Sequence, residues 1–407
     1  MSERARRRLA EAARRFFPYP CPVPVLSSSR RRTIALLAVV TAAYGAGLLG
    51  GTAGTQKPGV AAAAPPSETA AQALEASAGP GRANLDKQSA QALLDSLDDR
   101  WAAYLDPAQY ARFEQAIDGQ YTGVGVFVRR DPAGEISISS VQPGSPADHA
   151  GLAVGDVLIT VAGRSVAGMS VDDVSAALRG DVGTDVTVVL LHAGSRRHAT
   201  MSRVVMADAD ATMTQLGDGV VKITLSSFTR GVGKKVRADV EAAHATGIVL
   251  DLRGNPGGLL QEAVEVASAF LDGGPVVTFV RNGEAPQELD AVGVADTSVP
   301  LVVLVDGGTA SAAEVVTAAL QDRGRAAVIG SQTFGKGTVQ QPFQLGDGAG
   351  VEFTVGTYLT PAGRSVDGVG ITPDIEVAVG SSPSVAQTRA VAVLTGLIAD
   401  AHTAGRG

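Results

Sequence analysis

Ser311 and Lys336 are reactive side chains in settings that could do more than structural work. Ser311 follows Asp306-Gly307-Gly308-Thr309-Ala310, comes after the apolar block Leu301–Val305, and precedes Ala312-Ala313-Glu314. The block suits a buried strand, the glycines a turn, and the alanines the start of a helix. Ser311 with Glu314 is also an S-x-x-E capping box, in which a serine merely satisfies orphan amides. A nucleophile needs in addition a base within reach. Lys336 lies in Phe334-Gly335-Lys336-Gly337-Thr338, where two glycines allow close backbone packing around an amine partly withdrawn from water. Gly330 to Lys336 matches the G-x-x-x-x-G-K part of a phosphate-binding loop, but Gly337 stands where Ser or Thr should bind magnesium, and Pro342 blocks the required helix. A third segment, Ile248–Leu252 followed by Arg253-Gly254-Asn255-Pro256-Gly257-Gly258, leaves backbone N–H groups bare at a helix start. Such a turn can hold an oxyanion, and it is equally an ordinary strand–helix connection.

A fourth segment runs from Gly144-Ser145-Pro146-Ala147 to Gly155-Asp156-Val157-Leu158 as turn, short helix, glycine turn and strand. It resembles the PDZ domains found in bacterial exported proteases. Gly123, Val124, Gly125 and Val126 fall where those domains have their carboxylate-binding loop and peptide-pairing strand. There a peptide adds a strand while exposed amides take its terminal carboxylate.

Taken in order, D-L-R-x-N-P-G-G, the serine segment and T-F-G-K-G-T-V-Q resemble the carboxy-terminal processing peptidases, also called tail-specific proteases. The resemblance covers roughly residues 85–377, including Gly370-Ile371-Thr372-Pro373-Asp374-Ile375. It implies Ser311 as nucleophile, Lys336 as general base and Gln340 as the residue that orients the lysine. It also implies an oxyanion hole from the amides of Gly257 and Ala312. Thr309 and Ala313 stand where the family often has serines. The implied enzyme is a serine endopeptidase with no metal or organic cofactor, acting on protein substrates with apolar C-termini. The rival functions are a PDZ-bearing scaffold without catalysis and a crotonase-type acyl-CoA enzyme.

The elements that must position these residues are legible around them. Between residues 121 and 205 short β segments alternate with glycine turns: Val124–Val128, Ile136–Val141, Val157–Val161 and Val186–Leu191, with helices near Ala147 and at Val171–Leu178. From Val220 strands and helices alternate, which predicts an α/β layer of largely parallel strands. Ahead of both, Leu93, Leu94, Leu97, Trp101, Tyr104 and Leu105 fit a helical pattern, and a second helix is expected through Tyr110 and Phe113. The expected fold is thus α/β: by resemblance a crotonase/ClpP-like protease core, with an inserted PDZ β-module and an N-terminal helical segment.

The 407 residues carry one cysteine, Cys21, which excludes a disulfide framework and a Cys-rich metal site. Residues 1–32 hold nine arginines against Glu3 and Glu11, a balance of +7, so the rest of the chain carries −14 out of the total of −7. Residues 33–56 are uncharged and Thr33–Leu49 is mostly apolar, close to the length of a spanning helix. Basic residues directly before an apolar run point to membrane topology rather than nucleic acid. The expected order is a cytoplasmic N-terminus (1–32), a single membrane span or signal segment (33–52), a flexible linker (53–84), the helical segment (85–120), the PDZ domain (121–207), the protease core (208–380) and a C-terminal helix and tail (381–407). The catalytic part is expected at the cell membrane on the extracytoplasmic side, with homo-oligomerisation left open.

Overall fold

The computed structural model describes residues 86–404, apart from 132, 133, 209 and 296. The expected cytoplasmic segment, membrane span and linker lie outside the described residues. Among the described residues no helix is long and apolar enough to cross a membrane. The described residues divide into two compact units, one of residues 86–113 and 210–404, the other Glu114–Ala209.

The first unit is built on a six-stranded sheet in the order Ala211–Gly217, Val220–Leu225, Gly247–Asp251, Leu301–Val305, Ala327–Gly330 and Ile375–Glu376. The first pair is antiparallel and every later pair parallel. Gly247–Asp251 and Leu301–Val305 are buried at every position, the signature of strands covered on both faces. Alternation divides their side chains between two cores. Ile248, Leu250, Leu301 and Val303 pack with helices Val232–Ala243, Leu260–Ser268 and Ala312–Asp322. Val249, Val302 and Leu304 face Ala386, Ala390 and Leu394 of the C-terminal helix Pro383–Ala404. A second, antiparallel sheet joins Ala103–Leu105, Gly350–Leu359, Pro275–Arg281 and Gln287–Asp290, with Thr338–Gln344 also pairing to Gly350–Leu359.

The helical pattern expected from Leu93 to Leu105 is corrected. The helix Lys87–Asp95 stops, and Ala103–Leu105 is a strand pairing Ala103 with Glu352 and Leu105 with Gly350. Asp99 turns the chain: its carboxylate accepts the Trp101 N–H at 2.9 Å and the Thr354 N–H at 2.6 Å. A helical apolar pattern this short could not foresee a strand partner some 250 residues away.

The second unit has a sheet in the order Val126–Arg130, Ile136–Val141, Val157–Val161, Asp185–His192 and Ser195–Ser202, with Arg164–Ser165 pairing to Val157–Val161. Gln120–Gly123 pairs separately with Val204–Ala207. Helix Val171–Leu178 has the expected bounds, set by a capping box between Ser170 and Asp173. Near the ends of this unit Gln115 accepts the Thr122 hydroxyl at 2.9 Å and the Asp208 N–H reaches the Gly119 carbonyl at 2.7 Å.

Candidate active site

Three buried parallel strands end side by side, and each feeds a glycine turn. The turns are stitched together. The Asp306 carboxylate accepts the N–H of Gly254 at 2.8 Å and of Gly308 at 2.9 Å. The Thr309 hydroxyl donates to the Leu252 carbonyl at 2.8 Å, the Ala310 N–H to the Asn255 carbonyl, and the Phe334 N–H to the Thr309 carbonyl. Thr309, fully buried, is therefore a structural residue of this seam. Asp251 and Arg253 form a bidentate pair at 2.6 and 2.7 Å, and Arg253 also reaches the Pro383 carbonyl, tying the strand end to the C-terminal helix.

Ser311 sits at the start of helix Ala312–Asp322 with φ +53° and ψ −118°. A side-chain-bearing residue in that region costs about 1–3 kcal/mol and persists only where its surroundings fix it. Here one carboxylate does much of the fixing. Glu314, with no exposed surface, accepts the N–H of Ser311 at 2.9 Å and of Lys336 at 2.9 Å on one oxygen. Its other oxygen accepts the Gly335 N–H at 2.8 Å and the Thr333 hydroxyl at 2.5 Å. Burial pushes the Glu314 carboxyl above its ordinary range, while the hydrogen bonds to Thr333, Lys336, Gly335 and Ser311 favour the charged form. From the far side, the buried Tyr358 hydroxyl lies 2.8 Å from the Lys336 carbonyl and 3.2 Å from the Ser311 carbonyl. The backbones of Ser311 and Lys336 are thus clamped at both their amides and their carbonyls.

Lys336 is 4% exposed, and its amine lies 4.6 Å from the centre of the Trp101 ring. Burial lowers its affinity for a proton, against the charges of Glu352 and Asp99, which raise it. Gln340, 1% exposed, donates from its amide nitrogen to the hydroxyls of Thr338 at 2.9 Å and Thr354 at 3.1 Å. Beside Ser311 opens a small, mainly apolar pocket lined by Gly258, Leu260, Ala312, Val315, Val339 and Tyr358.

The pattern of peptidase family S41 matches residues 219–377 and that of a PDZ domain residues 137–191. A carboxyl-terminal-processing protease of Synechocystis sp. is 36% identical over 76% of this chain and 77% of its own length. This chain belongs to the carboxy-terminal processing peptidases. The carboxy-terminal processing protease CtpA of Bacillus subtilis is 35% identical over 70% of this chain and 62% of its own length. A solved S41-type structure from Bacteroides fragilis superposes with a TM-score of 0.53 at 18% identity, over 84% of this chain and all of that one, which shows a shared fold. The chain is a serine protease of the carboxy-terminal processing type.

Within this peptidase Ser311, Ala312 and Gln340 line one pocket, and Lys336 is tied to Ser311 through Glu314. Gly257 needs a correction. A Cβ there would stand 2.9 Å from Ser311 Cβ and 3.0 Å from the Ala312 nitrogen, so the residue is beside the serine. Its N–H, however, donates to Asn255 Oδ1 at 2.8 Å, and it is Gly258 that lines the pocket. In the PDZ unit the expected loop is shorter than its sequence suggests. Gly123 is paired to Val204 in a strand and the Val124 side chain is in the core, which leaves Val124-Gly125 as the turn into Val126–Arg130. A Cβ on Gly125 (φ +80°) would overlap Ser145 at 2.2 Å, so glycine is required there. Sequence reasoning missed Tyr358, Trp101, Asp99 and Glu352, and it gave Glu314 only half its role. The S-x-x-E spacing predicts the bond to the Ser311 amide, and no sequence signal predicts the bond to Lys336.

Proposed function

We propose that the chain is a membrane-tethered, exported endopeptidase that cleaves proteins near their C-termini by a Ser/Lys mechanism. The observation that carries this is the clamp. A strained serine at a helix start and a lysine withdrawn from water have their backbones fixed by one carboxylate and one phenol. Neutral Lys336 takes the Ser311 proton, the alkoxide attacks the scissile carbonyl, and the protonated lysine returns the proton to the leaving amine. Water then hydrolyses the acyl-enzyme through the same base. Gln340, its nitrogen committed to two threonines, offers its amide oxygen to the lysine. The oxyanion is received by the Ala312 N–H, which as the first helical amide has no intrahelical acceptor, and by the N–H of Gly258, which lines the same pocket. A core of the crotonase/ClpP type is consistent with the parallel sheet and its helices.

The test is substitution of the pair. Ser311→Ala, Lys336→Ala and Lys336→Arg are each expected to be folded and proteolytically dead, because arginine keeps the charge and cannot give up its proton. Substantial cleavage by Lys336→Arg would remove lysine as the base. Export and anchoring rest on the nine arginines before the uncharged run at 33–56. A reporter active only outside the membrane, fused after Gly407, is expected to be active, and its silence beside an active cytoplasmic reporter refutes the topology. Recognition of apolar C-terminal tails rests on strand Val126–Arg130, which forms an edge of its sheet, with helix Val171–Leu178 packed beside it.

A further inference from the structure

The amine of the candidate base rests on a residue from a distant part of the chain. Lys336 Nζ stands over the Trp101 ring, 4.6 Å from its centre. That indole is seated from several sides. Asp99 accepts the backbone N–H of Trp101 at 2.9 Å, and its carboxylate also takes the N–H and the hydroxyl of Thr354 at 2.6 and 3.1 Å. Two residues past the indole, strand Ala103–Leu105 begins its pairing, with Ala103 opposite Glu352. Trp101 is therefore held between two attachments to the same strand, Gly350–Leu359. The Phe334 ring leans on it at 6.2 Å and 54°. The Arg100 guanidinium lies 5.0 Å from the ring centre and is itself bonded to Asp367 at 3.1 Å. The indole Nε1 is buried without a hydrogen-bond partner. Phenylalanine or leucine would fill an apolar position without that cost, so the polar edge does not explain the residue. What the indole offers beyond them is the best aromatic face for a cation.

We propose that Trp101 is a positioning residue for the base: its indole face seats the Lys336 amine and closes it off from water on that side. The proposal rests on Lys336 being the base. The ring has two opposed effects. Its face attracts an ammonium and so favours the charged form, whereas a covered amine loses hydration, which favours the neutral form. The attraction is worth about one pH unit and the desolvation of a buried lysine up to about 3–5, so the cover outweighs the attraction. Burial is accordingly the largest influence on Lys336 and lowers its affinity for a proton. The attraction serves a later moment, when the lysine has taken the serine proton and must stay in place to return it to the leaving amine. Three other charged groups act on the lysine: Asp99 and Glu352 favour the ammonium, and Arg100 opposes it. Of the remaining titratable neighbours, Glu314 binds the Lys336 N–H, Asp367 the Gly337 N–H at 3.2 Å, and Tyr358 the Lys336 carbonyl. Strand Ala103–Leu105 adds only Tyr104, and strand Thr338–Gln344 adds none.

The contact can be read directly in the purified full chain. The protein has six lysines, so with lysine labelled by carbon-13 at Cε in a Ser311→Ala background, the Lys336 resonance is identified by its loss in Lys336→Ala. Its ε-methylene protons are expected upfield of those of the other lysines, shifted by the ring current of the indole. Trp101→Ala is expected to return them to the common position and to raise the pH at which the amine titrates by about one unit, a tenfold drop in the fraction of free amine. In the active enzyme the acid limb of the kcat/KM profile should move up with it, the rate recovering at higher pH. Trp101→Phe, which keeps a smaller aromatic face in place, should move the limb less. Lys336 protons at the common position in the Ser311→Ala protein overturn the proposal without any substitution at 101, which also decides the matter if Trp101→Ala does not fold. A Trp101→Ala enzyme that loses rate at every pH with an unmoved midpoint overturns it too, since that would be a structural role only. Either result leaves Lys336 as base intact, whereas an active Lys336→Arg enzyme removes that reading whatever Trp101 does.

Discussion

Glu314→Gln is the sharpest perturbation of the clamp, because it changes almost no volume and turns an acceptor into a donor. The carboxylate accepts four hydrogen bonds, two on each oxygen. A glutamine must put its NH2 group in place of one oxygen. In the position that serves Ser311 and Lys336, it would face two buried backbone N–H groups that could find no acceptor. In the other position it opposes only the Gly335 N–H, since the Thr333 hydroxyl can turn its proton away while still accepting the Ile371 N–H. The second placement is therefore the expected one. It forfeits one bond to a charged group and weakens the remaining bonds by removing the charge, at roughly 1.5–3 kcal/mol for the lost bond and less for the others. The expected loss is about 3 kcal/mol, or a fall in Tm of about 6–12 °C for a unit of this size. The chemical consequence follows from which backbones loosen. Ser311 and Lys336 lose the charged anchor that fixes one relative to the other, while the pocket formed by Leu260, Val315 and Val339 keeps its walls. Thus kcat is expected to fall at least about tenfold, roughly 1.4 kcal/mol in barrier, with KM nearly unchanged. Thermal melts and steady-state cleavage of a peptide substrate measure both quantities. Wild-type kcat in a folded Glu314→Gln enzyme would refute the idea that this carboxylate aligns the pair, and a proportional rise in KM would relocate its effect to substrate binding.

Tyr358→Phe removes the hydroxyl that serves the Lys336 and Ser311 carbonyls. One proton cannot fully satisfy both, so the shorter 2.8 Å contact to Lys336 carries most of the effect; the expected cost is about 1–3 kcal/mol with a lower kcat, and unchanged melting would contradict it. Gly258→Ala would put a Cβ 2.4 Å from the Phe228 carbonyl oxygen at φ +144° and displace the pocket wall, so stability is expected to drop by at least about 2 kcal/mol and cleavage to be lost; an active, stable alanine variant would show that this turn has slack. In the PDZ unit, amidating the C-terminus of a model substrate is expected to weaken its binding to the full-length Ser311→Ala protein, as measured by calorimetry. Equal binding of amidated and free peptides would end the carboxylate-recognition reading.

The sequence by itself determined the local units of this protein, because those depend on neighbours along the chain. Leu301–Val305 declares itself a doubly covered strand by being apolar at every position, and it has those bounds in the structure. Helix Val171–Leu178 has in the structure the bounds expected from the sequence, and the glycines after each core strand mark the turns where the chemistry gathers. Ser311 and Lys336 could be singled out because small residues around a polar one are a local feature. What only the tertiary structure decided is how those units meet. Ala103–Leu105 took a helical spacing and became a strand, because its hydrogen-bond partners lie in Gly350–Glu352. Glu314 reaches the Lys336 amide, Tyr358 the carbonyls of both reactive residues, and Asp99 the Thr354 amide. Even the Gly257 N–H is taken by Asn255, two residues away, through a turn geometry that residue types alone do not specify. A hydrogen bond between distant segments is fixed by distance and direction after folding. The linear order of residues carries the groups that make such bonds but not their relative positions in space.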